Sequence, residues 1–140
     1  MTTTYSDLQD RNVLVTGGAS GLGYAIAGAF AEQGSNVLIV GRNEERLKTA
    51  QQQLGERVTY IVFDLNNIDH LGELVREAVD SMGEIDVLVN NAGVHLKKDA
   101  LAVSNHKFQQ VVLTNQTAVS ALTREVGKGM VARRAENIIM

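Results

Sequence analysis

The chain has 140 residues, 44% of them hydrophobic and 21% charged, with a formal net charge of -3, a balance that excludes a disordered, collagen-like or membrane-embedded chain. Cysteine is absent, which excludes disulfides, thiolate metal sites and cysteine nucleophiles, and with neither a signal-peptide pattern in Met1 to Asp7 nor an apolar run near the roughly 18 residues of a spanning helix, a cytoplasmic protein without a membrane partner is expected. Residues 1 to 96 carry 6 Lys/Arg against 13 Asp/Glu and residues 97 to 140 carry 7 against 3, but the one basic cluster, Lys128 with Arg133 and Arg134, is short and lacks aromatic neighbours, so it reads as a solvated helix end and not as a nucleic-acid surface.

Apolar runs of strand length then alternate with amphipathic stretches of helix length, the pattern of a parallel sheet covered on both faces. Asn12 to Thr16 reads as the first strand, followed by a helix over Gly21 to Gln33. A second strand over Asn36 to Gly41 leads to a helix over Glu44 to Leu54, and a third over Val58 to Phe63 to a helix over Ile68 to Met82. Gly34, Gly55 and Gly83 follow these helices, where a left-handed residue ends them at little cost. A fourth strand is expected at Ile85 to Asn90 and a long helix at Ser104 to Val131. Along that helix Phe108, Val111, Val112, Ala118, Val119, Leu122, Val126 and Met130 recur at three- and four-residue steps, which predicts one broad buried face. No repeat, linker or proline marks a boundary, so residues 1–140 read as a single domain. The closing run Asn137 to Met140 has the look of a strand just entered, and a sheet incomplete at its C-terminal side is expected.

Directly after the first strand stands Thr16-Gly17-Gly18-Ala19-Ser20-Gly21-Leu22-Gly23, followed by an apolar helix. A glycine at the strand end permits the tight turn, another lets the backbone approach a pyrophosphate, and the last allows close packing of helix on sheet. Unpaired N–H groups and the positive end of the helix dipole face the anion. Gly17, Ser20, Gly21, Leu22 and Gly23 are therefore candidate contacts for a dinucleotide. The alternative is a glycine-rich turn that binds nothing, which its position between strand and helix disfavours.

The spacing G-x-x-x-G-x-G, with Asp64-Leu65 after the third strand, Asn90-Asn91-Ala92-Gly93 after the fourth, and Asn115 within Val112-Leu113-Thr114-Asn115, resembles the short-chain dehydrogenase/reductase family along the whole chain. The resemblance implies a Rossmann-type doubly wound α/β sheet. It also implies hydride transfer between a nicotinamide cofactor and a carbonyl or alcohol carbon of a small-molecule substrate. Asp64 would accept a hydrogen bond from the adenine amine, with Leu65 beside it, and Asn91, Ala92 and Gly93 would line the adenosine ribose. Asn115 would hold a water in the proton relay behind the catalytic tyrosine. Asn90 reads as structural. The family's matching helix lies at a subunit interface, which implies a homo-oligomer.

Cofactor choice turns on Ile39-Val40-Gly41-Arg42-Asn43. An acidic residue there would hold the ribose 2′-hydroxyl of NAD and repel a 2′-phosphate. Gly41 occupies the place, and the Arg42 guanidinium suits phosphate oxygens, so NADP is expected over NAD, although Ser20 stands where many phosphate-preferring relatives carry a basic residue. An ion pair of Arg42 with Glu44 or Glu45 is the alternative.

The family's tyrosine, with a lysine four residues later, is not found: Tyr5, Tyr24 and Tyr60 are followed at that distance by Gln9, Gly28 and Asp64. These 140 residues are therefore read as the cofactor-binding half of the enzyme, inactive alone. The rival expectation is a non-catalytic nucleotide-binding or interaction module. His70, His95 and His106 share no metal-ligand spacing, and Lys97 and Lys98 read as a solvated loop.

Overall fold

Val13 to Val15 and Val37 to Val40 are apolar at every position, the composition of strands that must be covered on both faces. The computed structural model describes residues 3–93, 99–134 and 137–140. Strands β1 (Asn12–Thr16), β2 (Asn36–Gly41), β3 (Val58–Val62), β4 (Val87–Val89) and β5 (Ile138–Ile139) form one parallel sheet in the order β3-β2-β1-β4-β5. The chain therefore runs outward from β1 to β3 and crosses back to β4. That reversal opens a crevice at the carboxyl ends of β1 and β4, where open α/β sheets bind ligands.

Alternate residues along each strand feed two cores, one per face. Leu14, Leu38, Val40, Ile61 and Leu88 pack under α3 (Leu71–Met82) and α5 (Ala118–Arg133), against Leu74, Ala78, Leu122, Val126 and Met130. Val13, Val15, Val37, Ile39 and Val89 pack under α1 (Gly21–Glu32) and α2 (Glu44–Leu54), against Ala27, Leu47 and Ala50. Burying a Leu or Val side chain contributes about 1.5–3 kcal/mol, so these rows fix the registers that bring the strand ends level. Thr16 stands opposite Val40, Val15 opposite Val89, and Gly41 opposite Val62.

Helix starts follow their caps. The Asn43 side chain accepts from Arg46 N at 3.1 Å, with Glu44 and Glu45 in the first turn of α2. Ser104 Oγ accepts from Lys107 N at 3.1 Å ahead of α4 (Asn105–Val112). α2 and α3 stop at Gly55 and Gly83, whose φ of 104° and 93° with ψ of -172° and -170° lie outside the expected left-handed helical region. They occupy the positive-φ extended region open essentially to glycine alone.

The expected long helix is three elements. α4 ends at Val112, a π-helical turn spans Leu113–Thr117, and α5 begins at Ala118. Its broad face is buried only in the second part: Ala118, Leu122, Val126 and Met130 are in the core, whereas Phe108 is 59% exposed. The helix expected from Ile68 begins as a 3-10 turn over Ile68–His70. The fourth strand is shorter than Ile85 to Asn90, although Ile85 is buried. Arg133 differs from its expected solvated role: its guanidinium donates to Ile85 O at 2.5 Å and lies 3.4 Å from Asp86, tying α5 to the entry of β4. Lys128 pairs with Glu125 at 3.0 Å. No helix of the described residues is long and apolar enough to cross a membrane.

Candidate functional site

Level strand ends place the segments after β1, β2, β3 and β4 side by side. One groove is lined there by Gly17, Ser20, Gly41, Arg42, Asp64, Leu65, Asn91, Ala92 and Gly93, and also by Val40, Phe63, Asn66 and Thr114. Eight of the candidate residues named from the sequence thus meet in one place. Gly21, Leu22 and Gly23 form the adjoining first turn of α1.

The turn after β1 is pinned from two directions. Gly17 N donates to Val40 O at 2.8 Å, and Asn91 Nδ2 donates to Gly17 O at 3.2 Å. Gly17 has φ +67° and Gly21 φ +57°, and a β-carbon at Gly21 would meet nothing within 4 Å, so the backbone there is open. Gly23 is the opposite case. A β-carbon on it would collide with Gly17 O and Asn91 Nδ2, so only glycine lets α1 approach this close. Ser20 is the N-cap of α1 with extended backbone, and its hydroxyl makes no capping bond. The first helical backbone bond of α1 is Tyr24 N to Ser20 O at 3.3 Å, which leaves the N–H groups of Gly21, Leu22 and Gly23 without helical acceptors. Leu22 is 70% exposed, so only its backbone is suited to the groove.

Thr16, buried at the end of β1, is the junction that the sequence reading left out of the site. Its hydroxyl accepts from Asn91 N and Ala92 N, both at 3.0 Å, and donates to Val89 O at 3.4 Å, so its full hydrogen-bonding capacity is used. The signal was a polar residue closing the apolar run Val13 to Val15. Thr16→Val keeps the shape but strands two N–H groups, and a loss of about 2 kcal/mol is expected, with Thr16→Ser recovering most of it. Urea unfolding measures this; an unchanged midpoint for the valine variant would remove the hydroxyl from the account.

Asn90 donates through Nδ2 to Thr123 Oγ1 at 3.0 Å while its backbone N–H reaches Ile139 O at 2.8 Å. It joins β4 to α5 and β5, in line with a structural reading. Arg42 is exposed and makes no ion pair with Glu44 or Glu45; Glu44 instead accepts from the Tyr60 hydroxyl at 3.4 Å. Asp64 is exposed, and its Oδ1 accepts from Asn66 N at 3.0 Å, a local turn that orients the carboxylate. The Leu65 side chain belongs to the core, which leaves its backbone as the part facing the groove. Asn115 sits in the π-helical turn and is exposed. It neighbours the groove: a β-carbon at Gly93 would lie 3.1 Å from Asn115 Oδ1. His70 Nδ1 lies 3.2 Å from Glu73, and His95, Lys97 and Lys98 lie outside the described residues.

A parallel sheet in this order, with a glycine-lined groove at its switch point, defines a doubly wound α/β protein of Rossmann type. The chain belongs to the short-chain dehydrogenase family, whose model, described as short chain dehydrogenase, matches residues 11–140. It is 39% identical over 135 residues to nodulation protein G of Rhizobium sp. (strain N33), covering 95% of this chain and 54% of that protein. An actinorhodin polyketide ketoreductase solved with NADPH superposes with a TM-score of 0.88 at 32% identity, covering 97% of this chain and 53% of the other. A 3-ketoacyl-(acyl-carrier-protein) reductase of Brucella melitensis complexed with NADH gives 0.86 at 29% identity, covering 94% and 56%. The chain spans about half the length of the curated relatives it matches.

Proposed function

We propose that this chain is the cofactor-binding part of an NADP-dependent oxidoreductase of the short-chain type, acting on a small-molecule carbonyl or alcohol. The observation that carries the nucleotide reading is the groove at the carboxyl ends of β1 to β4, beside which the backbone at Gly21 is open, a β-carbon there meeting nothing within 4 Å. Those residues fit a dinucleotide. The N–H groups of Gly21, Leu22 and Gly23, beside Gly17, would hold the pyrophosphate. Asp64 and Leu65 would hold the adenine, and Asn91, Ala92 and Gly93 the adenosine ribose. Ser20 and the guanidinium of Arg42, which is exposed and makes no ion pair among the described residues, would take the 2′-phosphate, and that exposed cation supports NADP over NAD. The two structural neighbours, one with NADPH and one with NADH, favour neither. When bound, the nicotinamide supplies a hydride donor or acceptor. Asn115, beside Gly93, would be a catalytic group, holding a proton-relay water.

Tyr-x-x-x-Lys occurs nowhere in the 140 residues, so residues 1–140, read as one cofactor-binding domain, are expected to bind without turning over. Phe108, Leu101 and Val131, exposed on or near the α4 and α5 helices, support self-association, in a cytoplasmic setting. Calorimetric titration with NADPH and NADH, a carbonyl-reduction assay and light scattering on the same sample test this together. NADPH binding tighter than NADH, no turnover, and a mass above that of one chain are expected. Failure to bind either nucleotide would overturn the reading, turnover would overturn the inactivity, and a stable monomer would overturn the self-association.

A further inference from the structure

Thr114 and Asn66 form a contact that the nucleotide reading does not use. Asn66 sits two residues after Asp64, in the loop leaving β3, and Thr114 lies in the π-helical turn, 48 positions further along the chain. The Thr114 hydroxyl donates to Asn66 Oδ1 at 2.6 Å, and Asn66 N donates to Asp64 Oδ1 at 3.0 Å. A continuous chain of hydrogen bonds thus runs from the π-helical turn to the Asp64 carboxylate, and all three residues line the same groove.

What else holds the π-helical turn decides how much this contact matters. α4 and the turn Leu113–Thr117 contain no buried residue, and the apolar packing that anchors α5 begins only at Ala118. A π-helical turn is a rare geometry that needs support from its surroundings and is found at functional sites more often than elsewhere. Here that support is polar. Thr114 links the turn to the Asp64 loop, and Asn115 Oδ1 lies against Gly93 on the β4 side. Segments with little apolar burial open at low free energy, so any ligand that orders the Asp64 loop also orders what the loop holds.

We propose that Thr114 is a positioning residue: through Asn66 it couples occupancy of the adenosine end of the groove to the order of the π-helical turn that carries Asn115. The inference rests on the nucleotide reading above and adds communication between the two ends of the site. Adenosine 2′,5′-bisphosphate, which has the adenine and the 2′-phosphate but no nicotinamide, should therefore act at a distance from itself.

Hydrogen exchange followed by mass spectrometry on the full chain, with and without adenosine 2′,5′-bisphosphate, tests this. In the wild type, exchange should slow at Gly17 to Gly23 and, by about fivefold or more, also at Leu113 to Thr117. In Thr114→Val the protection at Gly17 to Gly23 should persist while that at Leu113 to Thr117 disappears, and Thr114→Ser should restore it. Asn66→Ala breaks the same link from the other side and should behave as the valine variant does. Protection of the glycine turn without protection of Leu113 to Thr117 in the wild type would overturn the coupling, as would a Thr114→Val or Asn66→Ala protein that keeps both. No protection anywhere in the wild type would instead overturn the nucleotide reading, and the coupling with it.

Discussion

Gly23→Val is expected to weaken NADPH binding by about 100-fold or more, equivalent to about 2.8 kcal/mol, while leaving the helical signal of the chain largely in place. The reason is local. A β-carbon at this buried position would collide with Gly17 O and Asn91 Nδ2, the two atoms whose 3.2 Å hydrogen bond joins the glycine turn to the end of β4. Any side chain must push them apart, and a β-branched one cannot rotate clear. The damage falls where α1, the sheet and the pyrophosphate would converge, whereas Ala27, buried further along α1, lies away from it. Titration alongside circular dichroism separates the two effects, with Gly23→Ala as the smaller intrusion. Tight NADPH binding retained by the valine variant would contradict the placement of the dinucleotide.

Arg42→Asp is expected to move the ratio of NADPH to NADH affinity by about 100-fold toward NADH. A charge-assisted hydrogen bond to the 2′-phosphate contributes about 1.5–3 kcal/mol, and the carboxylate adds repulsion to its loss. The same carboxylate can accept from the 2′-hydroxyl of NADH. Position 42 is exposed, so the exchange leaves packing alone. Position 41 would not serve as well, because a β-carbon at Gly41 would lie 3.3 Å from Leu47 Cδ2. Parallel titrations measure the ratio. No change in it would remove Arg42 from phosphate recognition and leave Ser20 as the remaining candidate.

The parts of the fold legible in the sequence were those where one physical signal dominates. Asn12–Thr16, Asn36–Gly41 and Glu44–Leu54 form the elements expected of them to the residue, because an apolar run buried on both faces and a capped amphipathic helix each leave little alternative. The break at Leu113–Thr117 was not legible. A π-helical turn adds about one residue to a turn, and the seven-residue step from Val111 to Ala118 passes for two ordinary turns. Nor does periodicity say what will cover a face, which is why Phe108, in phase with Leu122 and Met130, is nevertheless exposed.

Within the groove, the glycines and Asp64 announced themselves by residue type and by position after a strand. Asn66 and Thr114 did not, because their contribution lies in a partner distant in the chain: Asn66 is 48 positions from Thr114. Such pairings follow from strand order, which short-range patterning does not carry.

The crossing from β3 back to β4 also has a consequence for how the molecule is made. Gly17 and Asn91, joined across the switch point, are 74 positions apart. At ribosomal speeds of about 5–20 residues per second, the glycine turn is synthesised about 4–15 s before the asparagine that closes it. During that interval β1, β2 and β3 can already pair, since they are neighbours in both chain and sheet, yet the Thr16 hydroxyl has no amides to receive. A nascent chain halted short of Asn91 carries every glycine of the turn and no groove. A dinucleotide bound as proposed would meet its groove only once the later wall has emerged, and newly made chains would pass through a stage at which it could not shelter them from proteolysis.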